Sequence, residues 1–126
     1  MQGIDVTALR EIKVLRELQS PHVIQLVDVF TSSNQNLSIV LELMDSDLEA
    51  VIKDTSLILS QADIKSYMRM ALDGLATCHA HNVVHRDIKP NNLLTSKTGP
   101  FPLLSWCCVI WSMQIRSEMR VVVQGC

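Results

Sequence analysis

The chain has 126 residues, 48% of them apolar and 19% charged, with a formal net charge of -2. That length suits one domain or part of one, and the composition is that of an ordinary globular protein with material for a core. The near-neutral balance gives no electrostatic case for nucleic acid or an anionic membrane as a partner.

Residues 7–18 read as an amphipathic helix, because Ala8, Ile12, Leu15 and Leu18 recur at helical spacing, with Asp5 or Thr7 as the N-cap. Ser20-Pro21 ends it, since a residue before proline disfavours the α region. Two β-prone runs follow, 22–30 and 37–43, joined by a Ser/Asn-rich hairpin-type stretch at 31–36. Asp47 is expected to cap a short helix containing Leu48, Val51 and Ile52. A longer helix begins after Ser60, where Ser60-Gln61-Ala62-Asp63 forms a capping box with Asp in the usual Glu position. Its apolar stripe is read as Ile64, Met68, Ala71, Leu72 and Leu75, joined by Tyr67 and Cys78, and it runs towards His79. Beyond Thr98 the pattern is lost: residues 101–111 show neither strand alternation nor a helical stripe.

Residues 1–5 are polar with no apolar run behind them, so no signal peptide is expected. A reducing, intracellular setting follows, with Cys78, Cys107, Cys108 and Cys126 as free thiols whose spacing fits no zinc pattern. His79, His81 and His85 likewise match no standard metal spacing. The longest apolar stretch, 101–111, falls short of the roughly 20 residues a bilayer span needs.

One segment carries chemistry: His85-Arg86-Asp87-Ile88-Lys89-Pro90-Asn91-Asn92. Phosphoryl transfer asks a protein for positioning and charge stabilisation more than for covalent chemistry. A carboxylate must orient the attacking hydroxyl and accept its proton, an amide oxygen helps to hold magnesium, and a lysine neutralises charge on the transferred phosphate. Asp-x-Lys-x-x-Asn sets these groups on one short loop, which residues 87–92 present.

This segment resembles the catalytic loop of protein kinases, and Lys89 places it with the Ser/Thr type. The resemblance extends outwards. Thr7-Ala8-Leu9-Arg10-Glu11-Ile12-Lys13 is similar to the cyclin-contacting helix of cyclin-dependent kinases, in the form found in the CDK-activating subgroup that pairs with cyclin H. Asp47-Leu48-Glu49-Ala50-Val51-Ile52 and Pro90-Asn91-Asn92-Leu93-Leu94 resemble the same subgroup.

The resemblance implies an α+β fold, a partial two-lobed kinase with an N-lobe helix and strands, a hinge, the first C-lobe helices and the catalytic loop. Residues 1–98 would form the partial kinase domain, and 99–126 a divergent tail of unknown structure. It also implies roles: Asp87 as catalytic base, Lys89 on the transferred phosphate, and Asn92 as a magnesium ligand. Glu11 would pair with an ATP-contacting lysine. Glu42, Leu43 and Met44 would form the hinge behind the gatekeeper Leu41, with Asp47 near the ribose and Leu94 as the pocket floor. ATP and Mg2+ would be the cofactors. A cyclin of the H type, other cyclin-dependent kinases and the polymerase II tail would be the protein partners, in the nucleus, with the cytoplasm as a second location.

Other parts of the family pattern do not occur in the chain. No Gly-rich loop or Val-Ala-Ile-Lys strand precedes Glu11, and no Asp-Phe-Gly follows Asn92 within about fifteen residues. Groups of this electrostatic kind are each worth about 10²–10³ in rate. The expectation is therefore a chain inactive by itself, able to act as a non-catalytic cyclin-binding fragment or existing as a non-functional product. The loss of pattern near Gly99 is read as a frame shift, a retained intron or alternative splicing.

Overall fold

In the computed structural model, residues 6–31, 37–96, 107–109 and 119–124 are described. The chain divides into two compact units. The first contains Met1–Gln19, Gln25–Leu43 and Met113–Cys126, and the second Ser20–Ile24 and Met44–Ser112.

In the first unit, helix α1 spans Val6–Glu17, close to the expected helix. Of the two expected caps, Thr7 lies inside the helix and Asp5 lies outside the described residues. Strands β1 (Leu26–Thr31) and β2 (Leu37–Glu42) pair antiparallel, Thr31 opposite Leu37 and Val29 opposite Ile39, with one irregularity between Leu26 and Asp28. The intervening residues 32–36 of the expected hairpin connection lie outside the described residues. Leu37, Ser38, Ile39 and Val40 are all buried, so β2 is covered on both faces, as continuous apolar runs usually are. Ile12 of α1 joins Leu37 and Ile39 in the core, flanked by Leu26, Val29 and Leu41.

The first strand starts four residues later than its β-prone run suggests. Ser20 explains the difference: its Oγ accepts the His22 N–H at 3.1 Å and its carbonyl accepts the Val23 N–H at 3.2 Å. That local turn satisfies the backbone, and the buried Val23 and Ile24 belong to the second unit.

The second unit opens with the short strand β3 (Ser46–Asp47) and helix α2 (Leu48–Lys53). The cap is as read: Asp47 Oδ1 accepts the Ala50 N–H at 2.8 Å. Helix α3 spans Gln61–Ala80 and begins on the expected capping box. Ser60 Oγ accepts the Asp63 N–H at 3.2 Å, while Asp63 Oδ2 accepts the Ser60 N–H at 2.8 Å. At its other end Asn82 takes φ 57°, a left-handed position that asparagine tolerates better than most residues. There the Asn82 and Val83 N–H groups close on the carbonyls of His79 and Cys78 at 3.0 and 2.9 Å.

The buried face of α3 keeps Tyr67, Ala71 and Cys78 of the expected stripe and adds Gly74, while the rest of the stripe is placed differently. It consists of Tyr67, Ala71, Gly74 and Cys78, whereas Ile64, Met68 and Leu72 are 53%, 58% and 54% exposed. Three of the four inward residues are small, so neighbouring backbone can approach closely, and Tyr67 supplies the bulk. Of the expected stripe, only Ile64, Met68 and Leu72 are turned away from this face, and Leu75 packs partly buried against it. Strand β4 (Leu93–Thr95) follows a 3-10 turn at Pro90–Asn92 and pairs antiparallel with β3, and Leu93 packs on Tyr67 and Ala71.

Two further strands lie in the tail. Cys107–Val109 (β5) pairs antiparallel with β4, and Met119–Gln124 (β6) pairs parallel with β2 in the first unit. Residues 107–109 therefore form a strand despite lacking alternation, because backbone pairing needs no particular side-chain pattern.

Replacing the almost fully buried Ile39 (1% exposed) by Ala should lower stability by about 2–5 kcal/mol in denaturant unfolding. The same change at Ile58, 96% exposed, should stay within about 0.5 kcal/mol.

Candidate active site: the Asp87–Asn92 loop

The loop hangs between two fixed ends. Upstream, the Asn82 turn ends α3 and buried Val83 anchors the chain; downstream, β4 is held by β3 and by Leu93 in the core. Between them, Arg86 sits at φ 71°. For a residue with a Cβ this conformation is uncommon and persists only where surrounding contacts enforce it.

Those contacts centre on Asp87. The Asn92 Nδ2 donates to the Asp87 carbonyl at 2.9 Å and to its Oδ2 at 3.0 Å. The Lys89 Nζ reaches the same Oδ2 at 3.2 Å. The Asp87 N–H donates to His85 Nδ1 at 3.2 Å, so His85 is neutral in this arrangement, with Nδ1 as an acceptor. His85 is 2% exposed. Burial pushes its imidazole below the ordinary histidine range, and the Asp87 charge opposes that only in part.

Asp87, Lys89 and Asn92 are thus brought together as the sequence predicts. Both donors meet on one carboxylate oxygen. Because Nδ2 is spent on Asp87, the amide oxygen of Asn92 is turned to the other side. Asp47 and Leu94 are brought beside the loop as well, as direct partners in the β3–β4 pairing. Asp45 N–H adds a bond to the Thr95 carbonyl at 3.0 Å. Met44, half-buried, leads into β3.

Glu42 and Glu11 belong to the first unit. Glu42 ends β2, where its Oε1 accepts the Gln25 N–H at 3.0 Å. Glu11 lies in α1, with its side chain outside the described residues.

Sequence reasoning missed the His85 and Lys89 bonds to Asp87. The one signal for them was that His85 and Lys89 flank the aspartate at two residues on either side. Burial of the Cys78 thiol pushes its pKa up, which suits a packing role.

Residues 2–106 match the protein kinase domain family. The chain belongs to the protein kinase family. This kinase chain is 55% identical over 102 residues to cyclin-dependent kinase D-1 of Arabidopsis thaliana, covering 81% of the chain and 25% of that relative. It is 52% identical over 101 residues to cyclin-dependent kinase 7 of Dictyostelium discoideum, covering 80% and 28%. Among solved structures it is similar to a chain of the CAK complex from Chaetomium thermophilum bound to ATP-gamma-S, with TM-score 0.65 and 41% identity over 84% of this chain and 34% of that one. Its relatives are kinases of the CDK-activating type, and its fold is the corresponding part of the kinase α+β fold. The kinase chain spans about a quarter of the length of the first of these curated relatives.

Magnesium is the cofactor against which the residues can be tested. Mg2+ is ordinarily bound through one or two carboxylates besides substrate phosphates. Here the Asn92 amide oxygen is a single neutral ligand, and the described residues contain no group of three His, Cys, Asp or Glu able to hold a metal. No aspartate occurs after Asp87 in the sequence. The described residues do not by themselves make a site of three such ligands.

The depressed His85 pKa has a definite sign in stability. The unfolded chain binds a proton at the ordinary histidine value and the folded chain only below it. Stability should therefore be flat above that value and fall as pH drops from it towards the lower folded value. Denaturant midpoints across pH 7.5 to 5 should show the fall, and His85→Asn, which keeps an acceptor near the Asp87 N–H, should flatten it.

Proposed function

We propose that this chain carries the acceptor-activating half of a Ser/Thr kinase site of the CDK-activating type, serving phosphoryl transfer from MgATP to a Ser or Thr hydroxyl. The observation that carries the reading is the Asp87 carboxylate, with Asn92 and Lys89 both bonded to Oδ2. The other oxygen, Oδ1, can accept the hydroxyl hydrogen bond, orient the nucleophile and take its proton. Lys89, held 3.2 Å from Oδ2 and about half exposed, can turn its ammonium to the charge building on the transferred phosphate. Asn92 restrains Asp87 through its nitrogen and offers its oxygen to a metal. Magnesium, when bound, would neutralise phosphate charge, with the Asn92 oxygen as the ligand proposed from this loop.

The adenine side follows the resemblance: Glu42 to Met44 as hinge, Asp47 towards the ribose, Leu94 beneath the base. A cyclin of the H type is proposed as partner through α1, with other cyclin-dependent kinases and the polymerase II tail as substrates in the nucleus.

The lack of any aspartate after Asp87 favours a second reading for the 126-residue chain by itself. It would bind cyclin through α1 without transferring phosphate.

Placing residues 6–96 into the corresponding region of the Arabidopsis relative tests the first reading. The chimaera should phosphorylate Ser/Thr, and Asp87→Asn should lower kcat by about 10²–10⁴-fold with little change in KM for ATP. A folded but inactive chimaera, or a harmless Asp87→Asn, would contradict it. The unmodified chain should show no transfer above its own Asp87→Asn control yet be retained by immobilised cyclin H; failure of that retention would remove the second reading.

A further inference from the structure

The tail has no part in the site described above, yet it adds a strand to each sheet. In the first unit β6 lies beside β2, giving the order β1-β2-β6. Its pairing is parallel and unbroken over six residues, from Leu37 opposite Met119 to Glu42 opposite Gln124. The β1–β2 pairing, by contrast, carries an irregularity between Leu26 and Asp28.

We propose that residues 119–124 act as an intramolecular strand donor, recognised by β2 through backbone hydrogen bonds and able to bind it as a separate peptide. Three observations carry this. The first is the burial of β2, where Leu37, Ser38, Ile39 and Val40 are all buried. Successive N–H groups of a strand point alternately to its two neighbours, so β1 can serve only every second residue of β2. Buried backbone groups need partners, and the ladder with β6 supplies them on the other side.

The second is register. Leu37 and Ile39 form a core with Ile12, and Leu41 packs beside them. These three residues of β2 stand opposite Met119, Val121 and Val123, all apolar, whereas Ser38 and Glu42 stand opposite Arg120 and Gln124. A slip of one residue would set Arg120 opposite Leu37 or Ile39. The alternation in the tail therefore specifies one register, as a strand with a buried face requires.

The third is composition. Val121-Val122-Val123 is a run of β-branched residues, whose restricted χ1 favours extended backbone. An unbroken main-chain ladder with alternating residue types is the pattern of recognition by strand addition, where the backbone gives affinity and the alternation gives specificity. The inference concerns the first unit and does not use the kinase reading, so either can fail without the other.

Amide hydrogen exchange of the full chain, read at each of residues 38–41, tests it. All four consecutive amides should be protected in the unmodified chain. Val122→Pro removes a ladder donor and bars a regular inner strand around it. It should speed exchange at least about tenfold at every second amide of β2, while the alternate amides, bonded to β1, keep their protection. Val122→Thr, β-branched and with its N–H intact, should leave all four unchanged. A synthetic peptide of residues 113–126, added to the Val122→Pro chain, should restore the released amides, and a scrambled peptide of the same composition should not. The alternating pattern separates loss of β6 from loss of fold, which would release all four amides together with those of α1. Fast exchange at alternate amides of the unmodified chain overturns the proposal. So does a Val122→Pro chain that keeps all four protected or releases all four, loss of protection in Val122→Thr, or a peptide without effect or matched by its scrambled form.

Discussion

The arrangement of the second unit turns on the amide of Asn92. One nitrogen bonds both the carbonyl and the carboxylate of Asp87, closing a six-residue loop across its ends. That closure acts with the Asp87–His85 bond across Arg86 and the Lys89–Asp87 ion pair to restrain the loop. The next residue, Leu93, is in the core against Tyr67 and Ala71. Chemistry and packing are thus adjacent in sequence. The hydrophobic contact fixes Leu93, Leu93 fixes Asn92, and Asn92 fixes Asp87.

The electrostatics follow from the same geometry. Two donors, the Asn92 amide and the Lys89 ammonium, meet on Oδ2 of Asp87. His85 adds restraint from below by accepting the Asp87 N–H, and its burial keeps it neutral for that task. The loop is therefore tied together by these bonds around Asp87. The metal is a different matter: the described residues include no group of three His, Cys, Asp or Glu able to hold one. Positioning and charge neutralisation, which act together in phosphoryl transfer, are unequally represented here.

Much of this was legible in the sequence because the signals were local. The Ser60–Asp63 capping box, the Asp47 cap and the Asp-x-Lys-x-x-Asn order each encode a contact between residues three to five apart. What was not legible depended on distant partners. The inward face of α3 is set by what packs on it, so Gly74 joined the expected Tyr67, Ala71 and Cys78 while the bulkier Ile64, Met68 and Leu72 faced away. The tail strands gain their structure from backbone pairing with β4 and β2, for which residues 107–109 give no periodic sign. The late start of β1 reflects the Ser20 turn, a side-chain bond competing with the strand ladder.

The central claim is that the Asp87–Asn92 loop is held in place by hydrogen bonds among its own residues and to His85. Native-state hydrogen exchange at the Asp87 amide measures it most directly, because that N–H is committed to buried His85. Protection close to that of amides inside α3, lost in Asn92→Ala, is the predicted result. Exchange of the Asp87 amide at the rate of an unstructured peptide, while α3 stays protected, would contradict the account.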